Sequence, residues 1–179
     1  KKEITELKDK VKRQEKGLND RADSIIRNAK EKDADRILEL LVQVNNVHSD
    51  NRPDLFLRDK TKYTKDELLA IIKDDSKPIF VGVDDNDRVL GYAFCVFQSH
   101  IEDNNFPDIV TLYIDDICVD EKERGKHVAS QIYDYVKNYA KEQGCYNVTL
   151  NVWDKNDAAI AFYNKCGFKI QKYGMEVIL

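Results

Sequence analysis

Only three prolines, seven glycines, one methionine and one tryptophan occur in 179 residues. So little Pro and Gly excludes a collagen-like or Pro/Gly-rich low-complexity chain. No run of eighteen apolar residues occurs, so no membrane span is expected. The start, KKEITELKDK, offers no apolar h-region of a secretory leader. The four cysteines, Cys95, Cys118, Cys145 and Cys166, form no CxxC pair and no ligand spacing with His48, His100 or His127. They read as reduced thiols of a cytoplasmic protein, and no metal is expected. The phosphate loop GxxxxGK[ST] and the dinucleotide fingerprint GxGxxG are both missing.

What is present is the composition of an ordinary globular domain, 42% apolar and 35% charged, with enough length for one full core. The charge is uneven. Residues 1–22 hold eight basic against five acidic side chains, a local excess of +3, which leaves the rest of the chain at −7 within a total of −4. An acidic body argues against a nucleic-acid partner and suits a small cationic one such as an amine.

Within residues 1–22, Ile4, Leu7, Val11 and Leu18 mark a sparse heptad seam. It reads either as a loosely docked helix or as a short coiled-coil arm of a homodimer. Residues 23–179 form the domain proper. Residues 24–27 suggest a short strand, and Ile37, Leu38, Leu40, Leu41 and Val44 a helix from Asp33. A polar loop is expected over 45–63, with His48, Arg52, Pro53 and Asp54 in it. Thr64-x-x-Glu67 is a capping box that opens a second helix. Strands follow at 79–83 and 89–98, then a polar connection over 99–108 and a strand at 109–119. Helical spacing begins at Arg124 and stops at Gly144. Residues 146–153 alternate as a strand. Asn156 caps a helix over 158–165, Gly167 ends it, and 168–179 supply one or two final strands. This order predicts an α/β (α+β) fold: a mixed, mainly antiparallel twisted sheet with helices on both faces.

The stretch that concentrates chemistry is YIDDICVDEKERGKHVAS, residues 113–130. It is a strand, an acidic turn and the start of a helix. Unpaired N–H groups and the positive dipole end suit that helix start to phosphate, so the unit is expected to hold a pyrophosphate. Arg124-Gly125-Lys126-His127-Val128-Ala129 resembles the [QR]-x-x-G-x-[GA] signature of the GNAT superfamily of N-acetyltransferases. Residues 156–168, NDAAIAFYNKCGF, resemble that family's late N-x-x-A-x-x-x-Y-x-x-x-G-F segment. The resemblance covers about residues 24–179 and implies acetyl-CoA as acetyl donor, without a metal. It departs at His127, where the family has glycine. A histidine there either points outward, leaving its amide usable, or touches the phosphates itself.

Transfer to an amine needs a base for the amine, donors for the oxyanion and an acid for the departing thiolate. Residues 113–119 resemble the Y-L-E-D-x-x-V strand of diamine/polyamine acetyltransferases. That resemblance puts Asp115 at the base position, directly or through water, with Asp116 beside it. Strand alternation implies that only one of the two faces a given cleft. The resemblance further implies that the backbone of Ile117, Cys118 and Val119 meets the pantetheine arm. It gives Tyr163, seven residues after Asn156, as general acid against the CoA sulfur. Arg124 and the amides of Gly125, Lys126, His127, Val128, Ala129 and Ser130 would grip the phosphates. Asn156 either only caps its helix or also touches the CoA arm; Asn151 is a candidate contact for pantetheine or acceptor. The expected function is acetyl transfer to a small amine or polyamine. Aminoglycosides, amino-acid-like metabolites and proteins are rival acceptors, and a non-catalytic acyl-CoA sensor is the rival class.

Overall fold

The computed structural model describes residues 24–99 and 107–179. The helix expected within residues 1–22 and most of the polar connection, His100 included, lie outside the described residues. Among the described residues five strands, β1 (Ile25–Asn28), β2 (Ile79–Val83), β3 (Val89–Ser99), β4 (Val110–Val119) and β5 (Asn147–Leu150), form one sheet in chain order. The pairings from β1 to β4 are antiparallel and the β4–β5 pairing is parallel. The mixed, mainly antiparallel sheet is as expected.

Helices α1 (Ala34–Asn51) and α2 (Lys65–Ile72) cover one face; α3 (Val128–Glu142) and α4 (Asp157–Lys165) belong to the other. Period-3.6 apolar stripes explain the packing. Ile37, Leu40, Leu41 and Leu68 meet Val81, Tyr92 and Phe94 on the first face. Val128, Ile132, Val136 and Ala140 meet Phe80, Ala93, Leu112 and Ile114 on the second. β2 and residues 89–95 of β3 are buried on both sides, which is why their sequences are almost uninterrupted apolar runs. At Gly91 the backbones of β3 and β4 come so close that a Cβ would lie 2.6 Å from the Cys118 carbonyl oxygen. α2 starts as its capping box predicts: the Glu67 amide donates to Thr64 Oγ1 (3.3 Å), and the Thr64 amide to Glu67 Oε2 (2.8 Å).

Four boundaries differ from the sequence reading. α1 continues through residues 45–51, because Val44 and its neighbours keep an inward stripe while His48 packs on Phe56 at 5.1 Å. α3 begins at Val128 and not at Arg124; residues 124–127 follow a 3-10 turn (Glu121–Glu123) and include the left-handed Gly125 and His127. β5 is shorter than its alternation suggested and ends at Leu150. Residues 168–179 form no strand and, beyond Phe168, are exposed.

Candidate active site

The centre of the site is an irregularity in β4. Opposite β3, Phe94 pairs with Asp116 but Cys95 pairs with Ile114, so Asp115 is an extra residue, a β-bulge. Parity confirms it. Leu112 and Ile114 pack toward α3, and so do Ile117 and Val119, an even pair followed by an odd pair. The slip falls at Asp115 and Asp116. Both carboxylates therefore point to the α1/α2 face, and the expectation that only one could do so is corrected: regular alternation does not hold across a bulge.

The two acids have different surroundings. Asp115 accepts from Lys62 Nζ at 2.5 Å; Lys62 comes from the loop before α2. Asp116 accepts from the hydroxyl of Tyr92 at 2.8 Å. Burial pushes the Asp116 carboxyl up to about 6, against the lowering effects of the Tyr92 hydrogen bond and the Lys62 charge. Its solvent access is only partial. Tyr63 stacks on Phe94 at 5.7 Å and forms an aromatic wall beside both acids.

Below the bulge, β4 parts from β5. The parallel register runs from Thr111↔Asn147 to Ile114↔Leu150 and stops. Residues 115–119 continue along β3, while the chain after Leu150 turns away toward α4. The β5-facing edge of Ile117, Cys118 and Val119 thus has no ladder partner among the described residues and borders the gap where the two strands part. At the far end of the gap lies the turn from β4 to α3. Asp120 fixes it: its nearly buried carboxylate is paired with Arg36 of α1, lies 3.5 Å from Arg88, and accepts the Lys122 amide at 3.2 Å. Gly125 has φ +80° and open space around its Cα. His127, the N-cap of α3, also lies in the left-handed region, at φ +65°. The His127 side chain does not cap α3, and the first intrahelical bond runs from Gln131 N to the His127 carbonyl. The amides of Val128, Ala129 and Ser130 are left facing outward with the dipole behind them. Lys126 is tied to Glu123 at 2.7 Å.

The third wall is α4. Asn156 caps it by accepting from the Ala159 amide at 3.2 Å. Tyr163 lies between Phe162 (5.4 Å) and Phe168 (5.6 Å). Burial, with smaller effects from Asp116, Cys166 and Cys118, raises its phenol above the ordinary range, so it stays protonated at neutral pH. Asp116 and Cys118 of β4 are therefore near enough to Tyr163 to be felt by it across the gap. Asn151 has a local partner: its Nδ2 donates to the Tyr113 hydroxyl at 3.1 Å.

The C-terminal end of α1 overlooks the same acids. Burial and the Lys62 charge lower the pKa of His48, whose Nδ1 is buried without a hydrogen-bond partner among the described residues. Phe56 contacts both His48 and Trp153. Arg52 lies over Trp153 at 5.8 Å and is clasped by Asp54 (2.7 Å) and Glu176 (2.5 Å). The structure thus brings Asp115, Asp116, Tyr163 and the edge of 117–119 to one gap, with 124–130 at its end. Sequence reasoning missed Tyr92 and Lys62. Tyr92 sits in a uniformly apolar run, and Lys62 is one of many lysines in a polar loop. Among the described residues no group of three or more His, Cys, Asp or Glu side chains could hold a metal ion.

The groups fit a nucleotide-thioester donor: a backbone edge beside a gap, an open helix N-terminus at its end, and glycine at the tightest turn. A family model described as "Acetyltransferase (GNAT) family" matches residues 41–168. Among curated proteins the chain is similar to a probable glucosamine 6-phosphate N-acetyltransferase of Drosophila melanogaster. The two are 29% identical over 145 residues, which is 80% of this chain and 59% of that protein. It is also similar to a glucosamine 6-phosphate N-acetyltransferase of Arabidopsis thaliana, 34% identical over 55 residues, 31% of this chain and 35% of that protein. The chain thus spans less than two thirds of the length of these relatives. Among solved structures, a mutant of the BH1408 protein from Bacillus halodurans is 29% identical with a TM-score of 0.82, covering 87% of this chain and 99% of that one. The Arabidopsis thaliana enzyme has the same fold at 20% identity, TM-score 0.64, covering 87% of this chain and 97% of that one.

Proposed function

Because the chain belongs to the GNAT acetyltransferase family, we propose that it transfers an acetyl group from acetyl-CoA directly to the primary amine of a small acceptor. The observation that carries this reading is the bulge at Asp115, which turns two carboxylates toward one cleft across from Tyr163. Acetyl-CoA, when bound, supplies an activated acyl group on a good leaving thiol.

The chain's own residues then divide the work. Arg124 and the amides from Gly125 to Ser130 hold the phosphates at the open end of α3. The backbone edge of Ile117, Cys118 and Val119 aligns the donor arm and offers N–H groups to developing negative charge. Asp116 is the base. With its carboxyl at about 6 it is ionised at neutral pH yet close enough to that pH to exchange protons readily. Tyr92 orients it by donating to one oxygen. Asp115, the residue that resemblance alone would make the base, instead holds the acceptor's cationic end; it already holds a primary ammonium, that of Lys62. Tyr163, kept protonated, gives its proton to the departing sulfur.

For the acceptor we favour a small amine or polyamine, on the strength of the paired carboxylates. A second reading, an amino-sugar phosphate, draws on the relatives' names and on the cations Arg52 and Lys62 beside the cleft. The test is thiol release from acetyl-CoA over a panel of polyamines, glucosamine 6-phosphate, an aminoglycoside and a lysine peptide, with the product's mass measured. Amine-dependent release with an acetylated product supports the proposal. Tight acetyl-CoA binding with no release on any amine would point to a sensor, and no binding at all to a structural domain.

A further inference from the structure

Lys62 stands among the reacting groups without a task of its own in the transfer. It lies in the bend just before α2. Its Nζ donates to Asp115 at 2.5 Å and lies 5.4 Å from the centre of the Tyr63 ring. Its charge also reaches Asp116 and His48. A primary ammonium of this chain therefore sits where a cationic acceptor would, against a carboxylate and over an aromatic face. Other lysines pair with acids outside this group, as Lys65 does with Asp35 and Lys73 with Glu31. The bulge adds a second carboxylate within reach. It turns Asp115 and Asp116 to one face, on consecutive residues whose Cα atoms are about 3.8 Å apart. A nitrogen that leaves the first carboxylate thus meets the second. The Lys62 side chain is half exposed and rides on a flexible four-carbon stem, so a swing of that size is open to it.

Given acetyl transfer from acetyl-CoA, on which the inference rests, we infer that Lys62 is itself an acceptor, acetylated in cis by its own active site. The ammonium leaves Asp115 and passes a proton to Asp116. The freed lone pair of Nζ forms a bond to the thioester carbonyl carbon. The carbon–sulfur bond breaks, and the sulfur leaves with its electron pair and takes the proton of Tyr163. The nitrogen loses two protons in all: one replaces the proton that Tyr163 gave up, and the other reaches solvent through Asp116. The products are N-acetyl-Lys62, free CoA thiol and one proton. Being part of the chain, the amine needs no binding step. The resting ion pair sets the pace. Burial works to lower the Lys62 pKa, but pairing with Asp115 more than offsets this and keeps the nitrogen protonated, so the transfer is slow. Its consequence is regulatory. The amide carries no charge, so Asp115 loses its internal partner and is open to the cationic end of a free acceptor.

The test incubates the full chain with acetyl-CoA and no amine, at several protein concentrations, and follows intact mass and peptide maps. One added acetyl group is expected, on Lys62, with a first-order rate independent of protein concentration. Asp116→Asn should slow it at least about tenfold, and Lys62→Arg should stay unmodified. A second readout needs no acetyl-CoA. Lys62→Gln, a neutral stand-in for the acetylated side chain, should bind putrescine about fivefold more tightly by calorimetry, since no internal cation competes for Asp115. Acetylated free amines with an unmodified Lys62 overturn the inference and leave the acetyl-transfer reading intact. No acetylation of any amine, Lys62 included, overturns both. Acetyl groups spread over many lysines, or a rate per chain that rises with protein concentration, overturn transfer in cis. Unchanged putrescine affinity in Lys62→Gln also overturns the inference, because Lys62 would then not occupy the acceptor's place.

Discussion

Replacing Asp116 by asparagine should make the protein slower and more stable at once. The carboxyl is pushed from 3.8 to about 6, chiefly by burial. The folded state therefore holds a proton that the unfolded chain gives up first. Stability from this group is full below pH 4 and is lost as pH rises through about 6. A shift of roughly two pKa units corresponds to about 3 kcal/mol. Asparagine cannot ionise, and its carbonyl can still accept from the Tyr92 hydroxyl. The variant should match the wild type near pH 4 and exceed it at pH 7 by up to about 3 kcal/mol. Activity should move the other way. Loss of a positioned base costs typically about 10²–10⁴-fold, and the acid limb of kcat/KM near pH 6 should vanish with it. Urea unfolding at pH 4 and pH 7, with kcat/KM for the acceptor from pH 5 to 9, measures both. An unchanged acid limb in the variant would refute Asp116 as the base. Equal stability of the two proteins at pH 7 would refute the buried, ionised carboxylate.

Tyr163→Phe should lower kcat at least about tenfold while leaving the KM for acetyl-CoA nearly unchanged, since only the proton donor is removed; unchanged turnover takes Tyr163 out of the chemistry. His127→Gly should stabilise the fold by about 1 kcal/mol, because a left-handed non-glycine residue is strained at φ +65°. It should leave acetyl-CoA affinity equal or tighter, and a tenfold weaker affinity by calorimetry would mean that the imidazole is itself a phosphate contact. Asp120→Ala strips a nearly buried carboxylate from Arg36 and Arg88 and should cost about 3 kcal/mol in urea unfolding; a loss under about 1 kcal/mol would show that the turn is held by other contacts.

Much of the fold was legible because its signals are local. The Thr64–Glu67 box, the Asn156 cap, the stops at Gly144 and Gly167 and the apolar stripes of α1 and α3 each depend on residues within a few positions of one another. The candidate site was less so. Tyr113 to Val119 reads as regular alternation, and nothing in that stretch announces a bulge; the slip exists only in its pairing with β3. Consequently the sequence could place Asp115 and Asp116 in the right strand but not on the same face. Lys62 and Tyr92, which separate the roles of the two acids, meet them only through the packing of α2 and β3. The left-handed turn at His127 hid the true start of α3, because helical spacing alone carries back to Arg124. Residues 168–179 are expected as one or two final strands, but a strand also needs a paired edge, and these residues join no ladder.

The donor is expected to lie in the gap between β4 and β5 with its phosphates at the start of α3. Amide hydrogen exchange with and without acetyl-CoA measures this directly. Slowed exchange at Ile117 to Val119 and at Val128 to Ser130, with little change in α1 and α2, is the predicted result. Acetyl-CoA binding that leaves both segments unprotected would contradict it.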